Sequence, residues 1–224
     1  MCGRYHQAAP PEQLGREYDL DIRDNFPPRY NIAPTQPISV IRMHAGKRGY
    51  ALMRWGLIPS WAKSERLAHF LAKPCINARA EGVTEKPAFR HAFRRRRCLV
   101  PATGFYEWKT EGGGRQPYCI QKQDDELFSF AGLWETGLDR DGGEIDTVAI
   151  VTTAAGVDNR PLHDREPVVI QRDAYALWLE TAERDADVLQ SLLIAPRPGF
   201  WRPFPVSKAV NNVKNDGPEL VAPL

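Results

Sequence analysis

A chain of 224 residues, 42% of them hydrophobic and 26% charged, can bury a sizeable core and has the composition of neither a disordered tail nor a membrane protein. Its 30 basic and 28 acidic residues leave a formal net charge of only +2, so bulk charge does not mark it as a nucleic-acid binder. No stretch approaches the roughly 20 apolar residues that cross a bilayer, and the N-terminus lacks the apolar core of a signal peptide, so a cytoplasmic protein is expected.

In chain order, periodicity predicts a helix over Pro11–Tyr18, strands over Ile38–Met43 and Tyr50–Trp55, and a helix over Lys86–Arg95. Five strands follow: Cys98–Val100, Gly104–Trp108, Tyr118–Gln123, Leu127–Leu133 and Asp146–Thr152, with a hairpin expected at Gln123–Leu127. Helical patterns return over Arg172–Leu179 and Ala182–Leu193. Strands and helices mix without strict βαβ alternation, which predicts one α+β domain over residues 1–224 with a curved, mostly antiparallel sheet. Arg90, Arg94, Arg95, Arg96 and Arg97 form the sharpest basic run; they suit either phosphate neutralisation or a solvated helix end leading into a strand.

The four cysteines, Cys2, Cys75, Cys98 and Cys119, show no CxxC pair and no metal-ligand spacing with His. Reduced thiols are therefore expected, with no metal and no cofactor. Cys75, Cys98 and Cys119 read as buried small hydrophobes. Cys2 stands apart because only Met1 precedes it. Removal of Met1 would leave a thiol and an α-amine on one residue, with ordinary pKa values near 8.5 and 8, so usable thiolate and free amine are expected at neutral pH. Such a 1,2-aminothiol attacks an aldehyde twice, first through nitrogen to a Schiff base and then through sulfur to a thiazolidine.

Four other segments carry candidate chemistry, three of them with a plainer alternative. Asn77 and Arg79 alternate by two and would share one side of an extended stretch, or they belong to a polar loop with an Arg79–Glu81 pair. Glu107, between Tyr106 and Trp108, is a candidate proton-transfer group or a solvent-facing strand glutamate. His163, in a loop bounded by Pro161 and Pro167, is a candidate proton shuttle or a surface histidine bonded to Asp164. Trp61, beyond Pro59, could stack against a base.

Together and in this order the blocks resemble one family. They are Met1-Cys2-Gly3-Arg4-Tyr5, Arg29-Tyr30-Asn31 with Ala33-Pro34, Trp55-Gly56 with Pro59, and Ile76-Asn77-Ala78-Arg79-Ala80-Glu81. Next come Gly104-Phe105-Tyr106-Glu107-Trp108, His163-Asp164-Arg165 with Pro167, Pro205-Val206-Ser207 and Asn212-Val213-Lys214-Asn215. From residue 1 to about residue 215 this is similar to the SRAP family, the SOS-response-associated peptidases or abasic-site processing proteins. The resemblance implies a barrel-like sheet with flanking helices and a single-turnover covalent crosslink to abasic sites in single-stranded DNA within the DNA damage response. It implies Cys2 as nucleophile, Asn77 holding the Cys2 end and the opened sugar, Glu107 and His163 moving protons, and Arg4, Arg79 and Arg165 gripping phosphates, with Trp61 at the lesion. The expected partner is abasic single-stranded DNA, met by a monomer without a membrane. A cysteine peptidase, acting on proteins in general or only on the residues ahead of Cys2, is the competing reading. Two departures from the family pattern stand out. Glu166 is an acid beside Arg165 and is expected to weaken phosphate contact there, and Trp61 is the only aromatic in Ser60-Trp61-Ala62.

Overall fold

The computed structural model describes residues 2–23, 26–180 and 186–224. In chain order it contains β1 (Tyr5–Gln7), α1 (Pro11–Tyr18), β2 (Arg29–Ile32), β3 (Pro37–His44), β4 (Lys47–Trp55), α2 (Ser64–Ala72), β5 (Asn77–Arg79), α3 (Arg90–Arg95) and β6 (Arg97–Ala102). It continues with β7 (Gly104–Glu111), β8 (Gly114–Lys122), β9 (Phe128–Leu138), β10 (Glu144–Ala154), β11 (Arg165–Pro167), β12 (Val169–Ile170), α4 (Tyr175–Leu179), α5 (Ala186–Gln190) and β13 (Trp201–Pro205).

Strands β10, β4, β3, β6 and β9 pair in that order, and β9 returns to pair with β10, so the five close into a barrel. All its contacts are antiparallel except β10 with β4. A second, antiparallel sheet runs β13-β8-β7-β1-β2. The expected α+β class and barrel-like, mostly antiparallel sheet are what the structure shows.

Both faces of the barrel strands are covered, and the two-residue period sorts their side chains between two cores. Val40, Cys98, Val100, Phe128, Phe130, Val148 and Ile150 cluster with Tyr5, Phe105, Ile120 and Trp201 of the second sheet. The intervening Ile41, Leu99, Ala131, Leu133, Ala149 and Val151 cluster with Leu14 and Tyr18 of α1, Phe93 of α3 and Trp178 of α4. These strands therefore read as near-continuous apolar runs in the sequence, with no polar face to mark.

Several local expectations are corrected. The hairpin at Gln123–Leu127 does not form. Strand β8 pairs with β7 and β13, while β9 joins the barrel, so the segment passes from one sheet to the other. The helix expected from Lys86 begins only at Arg90, because Pro87 lies in the turn ahead of it. Over Arg172–Leu179 the chain makes a 3₁₀ turn, Arg172–Ala174, before α4. Of the helix expected at Ala182–Leu193, α5 covers Ala186–Gln190, and residues 182–185 lie outside the described residues. Helix α2 has no fully buried residue and no side-chain N-cap, which is why neither its period nor its start was legible.

The arginine run is divided by packing. Arg97 is buried and donates to the carbonyls of Phe93 (2.6 Å), Arg94 (2.5 Å), Trp178 (2.7 Å) and Glu180, so it satisfies the ends of α3 and α4 and is no phosphate ligand. Arg96 pairs with the buried Glu135 and stacks on Trp134.

Candidate functional site

Strand β1 lies antiparallel on β7, with Tyr5 opposite Phe105 and His6 opposite Gly104. Only a glycine fits at 104, since a Cβ there would stand 2.2 Å from the His6 ring nitrogen Nε2. The register continues toward the N-terminus, where the Tyr106 amide donates to the Arg4 carbonyl at 3.0 Å. Cys2 is thereby carried alongside Glu107, whose side chain is itself only 5% exposed. From a third direction comes β5, held parallel to β10 with Asn77 opposite Ile150. Asn77 Nδ2 donates to the Cys2 carbonyl at 2.8 Å. Its Oδ1 is buried and has no hydrogen-bond partner among the described residues, which leaves an acceptor for an incoming N–H or O–H. Cys2, Asn77 and Glu107, far apart in sequence, thus form one cluster.

Cys2 is fully buried, and its thiol faces the Arg4 carbonyl with sulfur and oxygen 3.9 Å apart. Burial, and then the negative charge of Glu107, push the thiol well above its ordinary range. This packing therefore disfavours the thiolate. Cys98 and Cys119 are buried as expected, and Cys75 is only partly covered.

His163 closes a loop over residues 155–164. Its amide donates to the Asn159 carbonyl at 3.0 Å, and the Ala155 amide donates to the Asp164 carbonyl at 2.9 Å across the loop's base. Two groups meet the ring at Nδ1: the Arg165 amide at 3.0 Å and Asp164 Oδ1 at 2.7 Å. The first contact needs an unprotonated nitrogen and the second a protonated one, so they alternate with the ring's proton. The neighbouring Leu162 packs against the core that contains Cys2.

The arginines are held differently from one another. Arg4 donates to Asn31 Oδ1 (2.7 Å) and to the Val210 carbonyl (2.8 Å), with its guanidinium 5.8 Å from the Trp108 ring centre. Arg165 spans the Thr152 carbonyl (2.7 Å) and grips Glu81 with two nitrogens at 3.1 and 3.0 Å, so Glu81 partners Arg165 and not Arg79. That contact is the main cause that holds the Glu81 carboxyl below its usual range. Arg79 lies exposed on β5, opposite Thr152. Trp61 is 42% exposed, donates to the Pro87 carbonyl at 3.2 Å, and lines a separate pocket with Arg66, Arg90 and His91. Glu166 turns out to face away from this surface. It is fully buried and bonded to Asn159, so the alternation of β11 leaves it no direct contact with a phosphate beside Arg165.

Residues 1–213 match the family described as SOS response associated peptidase (SRAP). The chain belongs to the SRAP family. It is 36% identical to the abasic site processing protein YoaM of Bacillus subtilis, over 99% of this chain and 97% of that one. It is 31% identical to the abasic site processing protein YedK of Escherichia coli over the full length of both. With the abasic site processing protein HMCES of Gallus gallus it shares 32% identity over 89% of this chain and 67% of that protein. A crystal structure of a protein from Bacteroides thetaiotaomicron superposes with a TM-score of 0.88 at 25% identity, over all of both chains.

In this SRAP chain the residue that sequence reasoning passed over is Asn31. It is 1% exposed, accepts from Arg4, and its Nδ2 lies 3.2, 3.1 and 2.8 Å from the carbonyls of Val210, Asn212 and Asn215. Asp216 Oδ1 accepts the Tyr30 and Asn31 amides. Together they fasten the C-terminal segment behind Arg4. The available signal was the place of Asn31 in the block Arg29-Tyr30-Asn31, to which the sequence attaches no role.

Proposed function

We propose that this chain processes abasic sites in single-stranded DNA by forming a thiazolidine crosslink through Cys2, once Met1 has been removed. The observation that carries the reading is the convergence on Cys2: Asn77 fixes its carbonyl, and the pairing of β1 with β7 brings the buried Glu107 near enough for its charge to act on the thiol. An abasic sugar is mostly a closed hemiacetal, so a proton must leave the C1′ hydroxyl and another must reach the ring oxygen before the aldehyde appears. Glu107 and His163 are assigned to these transfers. The Cys2 amine then adds to the aldehyde carbon, water leaves, and an iminium remains. Its positive charge counteracts the burial that holds the thiol protonated. As sulfur bonds to the former aldehyde carbon, the C=N electrons return to nitrogen and the thiol proton leaves to a base or to water, replacing the proton taken up when the iminium formed, so the sum is aldehyde plus aminothiol giving thiazolidine and one water. Asn77 Oδ1, buried without a partner among the described residues, is assigned to accept from the amine or from a sugar hydroxyl. Arg79 is assigned to phosphate as it stands, Arg165 by exchanging Glu81 for phosphate, Arg4 to phosphate while it stays bonded to Asn31 and Val210, and Trp61 to base stacking.

The test is denaturing electrophoresis and intact mass after incubation with an abasic oligonucleotide. Wild type should give a heat-stable adduct one water lighter than the sum of its parts. Cys2→Ala and Cys2→Ser should lose it, while borohydride still traps some of either through the amine. An uncleaved N-terminal extension should abolish both products, because the amine becomes a peptide nitrogen. An extended protein that crosslinks at the wild-type rate would defeat the reading.

A further inference from the structure

We infer that Glu166 and Asn159 form a positioning pair that sets His163 for proton transfer, a role that rests on the Cys2 reading above. Glu166 is fully buried in β11 and accepts from Asn159 Nδ2 at 2.8 Å. Asn159 is 1% exposed, and its own carbonyl receives the amides of both Leu162 (2.9 Å) and His163 (3.0 Å). One residue therefore joins a buried anchor on the sheet to the turn that ends at His163. The neighbouring Asp158 pins the other flank, accepting the Gly199 amide and the Trp201 amide, each at 3.1 Å. The second Glu166 oxygen lies toward Gly156, where an added Cβ would sit 3.6 Å away, and toward the Trp201 indole. Burial of a carboxylate is costly, and an apolar residue would fill β11 more cheaply. What the carboxylate provides is a directional acceptor inside the loop.

Glutamine can take over this duty. If the Asn159 amide reverses, Gln Nε2 donates to Asn159 Oδ1, which has no hydrogen-bond partner among the described residues, and Gln Oε1 faces Gly156 and Trp201. Methionine fills the space without any acceptor. The role thus differs from simple packing, because Gln should preserve it and Met should not.

The experiment compares Glu166→Gln, Glu166→Met and Asn159→Ala with wild type. At saturating abasic oligonucleotide, Glu166→Met and Asn159→Ala should crosslink about 10–100-fold more slowly, as misplacement of a reacting group does. Their affinity for a strand with a non-reactive tetrahydrofuran site should be unchanged, and Glu166→Gln should react within about threefold of wild type. Amide exchange at Leu162 and His163 should rise about tenfold in the Met variant and stay low in the Gln variant. Wild-type crosslinking and exchange in Glu166→Met would overturn the inference, and so would equal losses in the Gln and Met variants. If wild type itself formed no crosslink, the Cys2 reading would fail, while the exchange rates would still decide whether Glu166 positions the His163 loop.

Discussion

Replacing Asn31 by alanine tests whether the C-terminal segment is fastened behind the Cys2 strand as the structure shows. The side chain offers two N–H groups to the carbonyls of Val210, Asn212 and Asn215, and one oxygen to Arg4. At about 1 kcal/mol per net hydrogen bond, three bonds come to about 3 kcal/mol. The loss should fall somewhat short of that sum, because Asn212 is exposed and its carbonyl can bond water, and Val210 keeps its bond from Arg4. An expected cost of about 2–3 kcal/mol corresponds to a fall of roughly 4–12 °C in Tm for a domain of this size. The assay is thermal unfolding followed by circular dichroism, joined to limited proteolysis at the exposed Lys208 and Lys214, which should be cut faster in the variant. Arg4 also loses its side-chain partner, so crosslinking should slow even at temperatures where the variant is fully folded. A Tm within 1 °C of wild type, about the shift expected from less than half a kcal/mol, together with unchanged proteolysis, would refute the clamp.

Two further outcomes are expected. Glu107→Gln keeps the size of the side chain and removes its proton-transfer capacity, so crosslinking at limiting protein should slow by roughly 10²–10⁴-fold, and superimposable time courses would remove Glu107 from the chemistry. Burial first, with a smaller contribution from the Asp158 charge, raises the Glu166 carboxyl above its usual range against the opposing hydrogen bond from Asn159. The folded protein then holds that proton where the unfolded chain has released it, so Glu166 favours folding below the ordinary carboxylate range and this contribution is lost as pH rises through the folded value. The stability of Glu166→Gln relative to wild type should therefore increase between about pH 4 and pH 7, and a constant difference in Tm across that range would exclude the effect.

The sequence by itself determined the strands with strong apolar character and the residue types that carry chemistry. Ile38–Met43, Gly104–Trp108 and Asp146–Thr152 each lie within a strand of the structure, because β-branched and aromatic residues bury on a pleated surface whatever their partners are. Cys2, Asn77 and Glu107 were legible as candidates through ordered blocks of residues, not through any property of one position. Partnership was decided only by the tertiary structure. Periodicity says that a strand exists but not which edge it meets, so the passage of Gln123–Leu127 from one sheet to the other and the short β1, β5 and β11, which bring the site together, lay beyond it. Ionisation likewise depends on packing: the ordinary pKa of a cysteine says nothing of the burial and the Glu107 charge that push the Cys2 thiol up. The same holds for Glu166, an acid beside Arg165 in the sequence. The alternation of β11 turns it into the interior, toward Asn159 and the loop that bears His163.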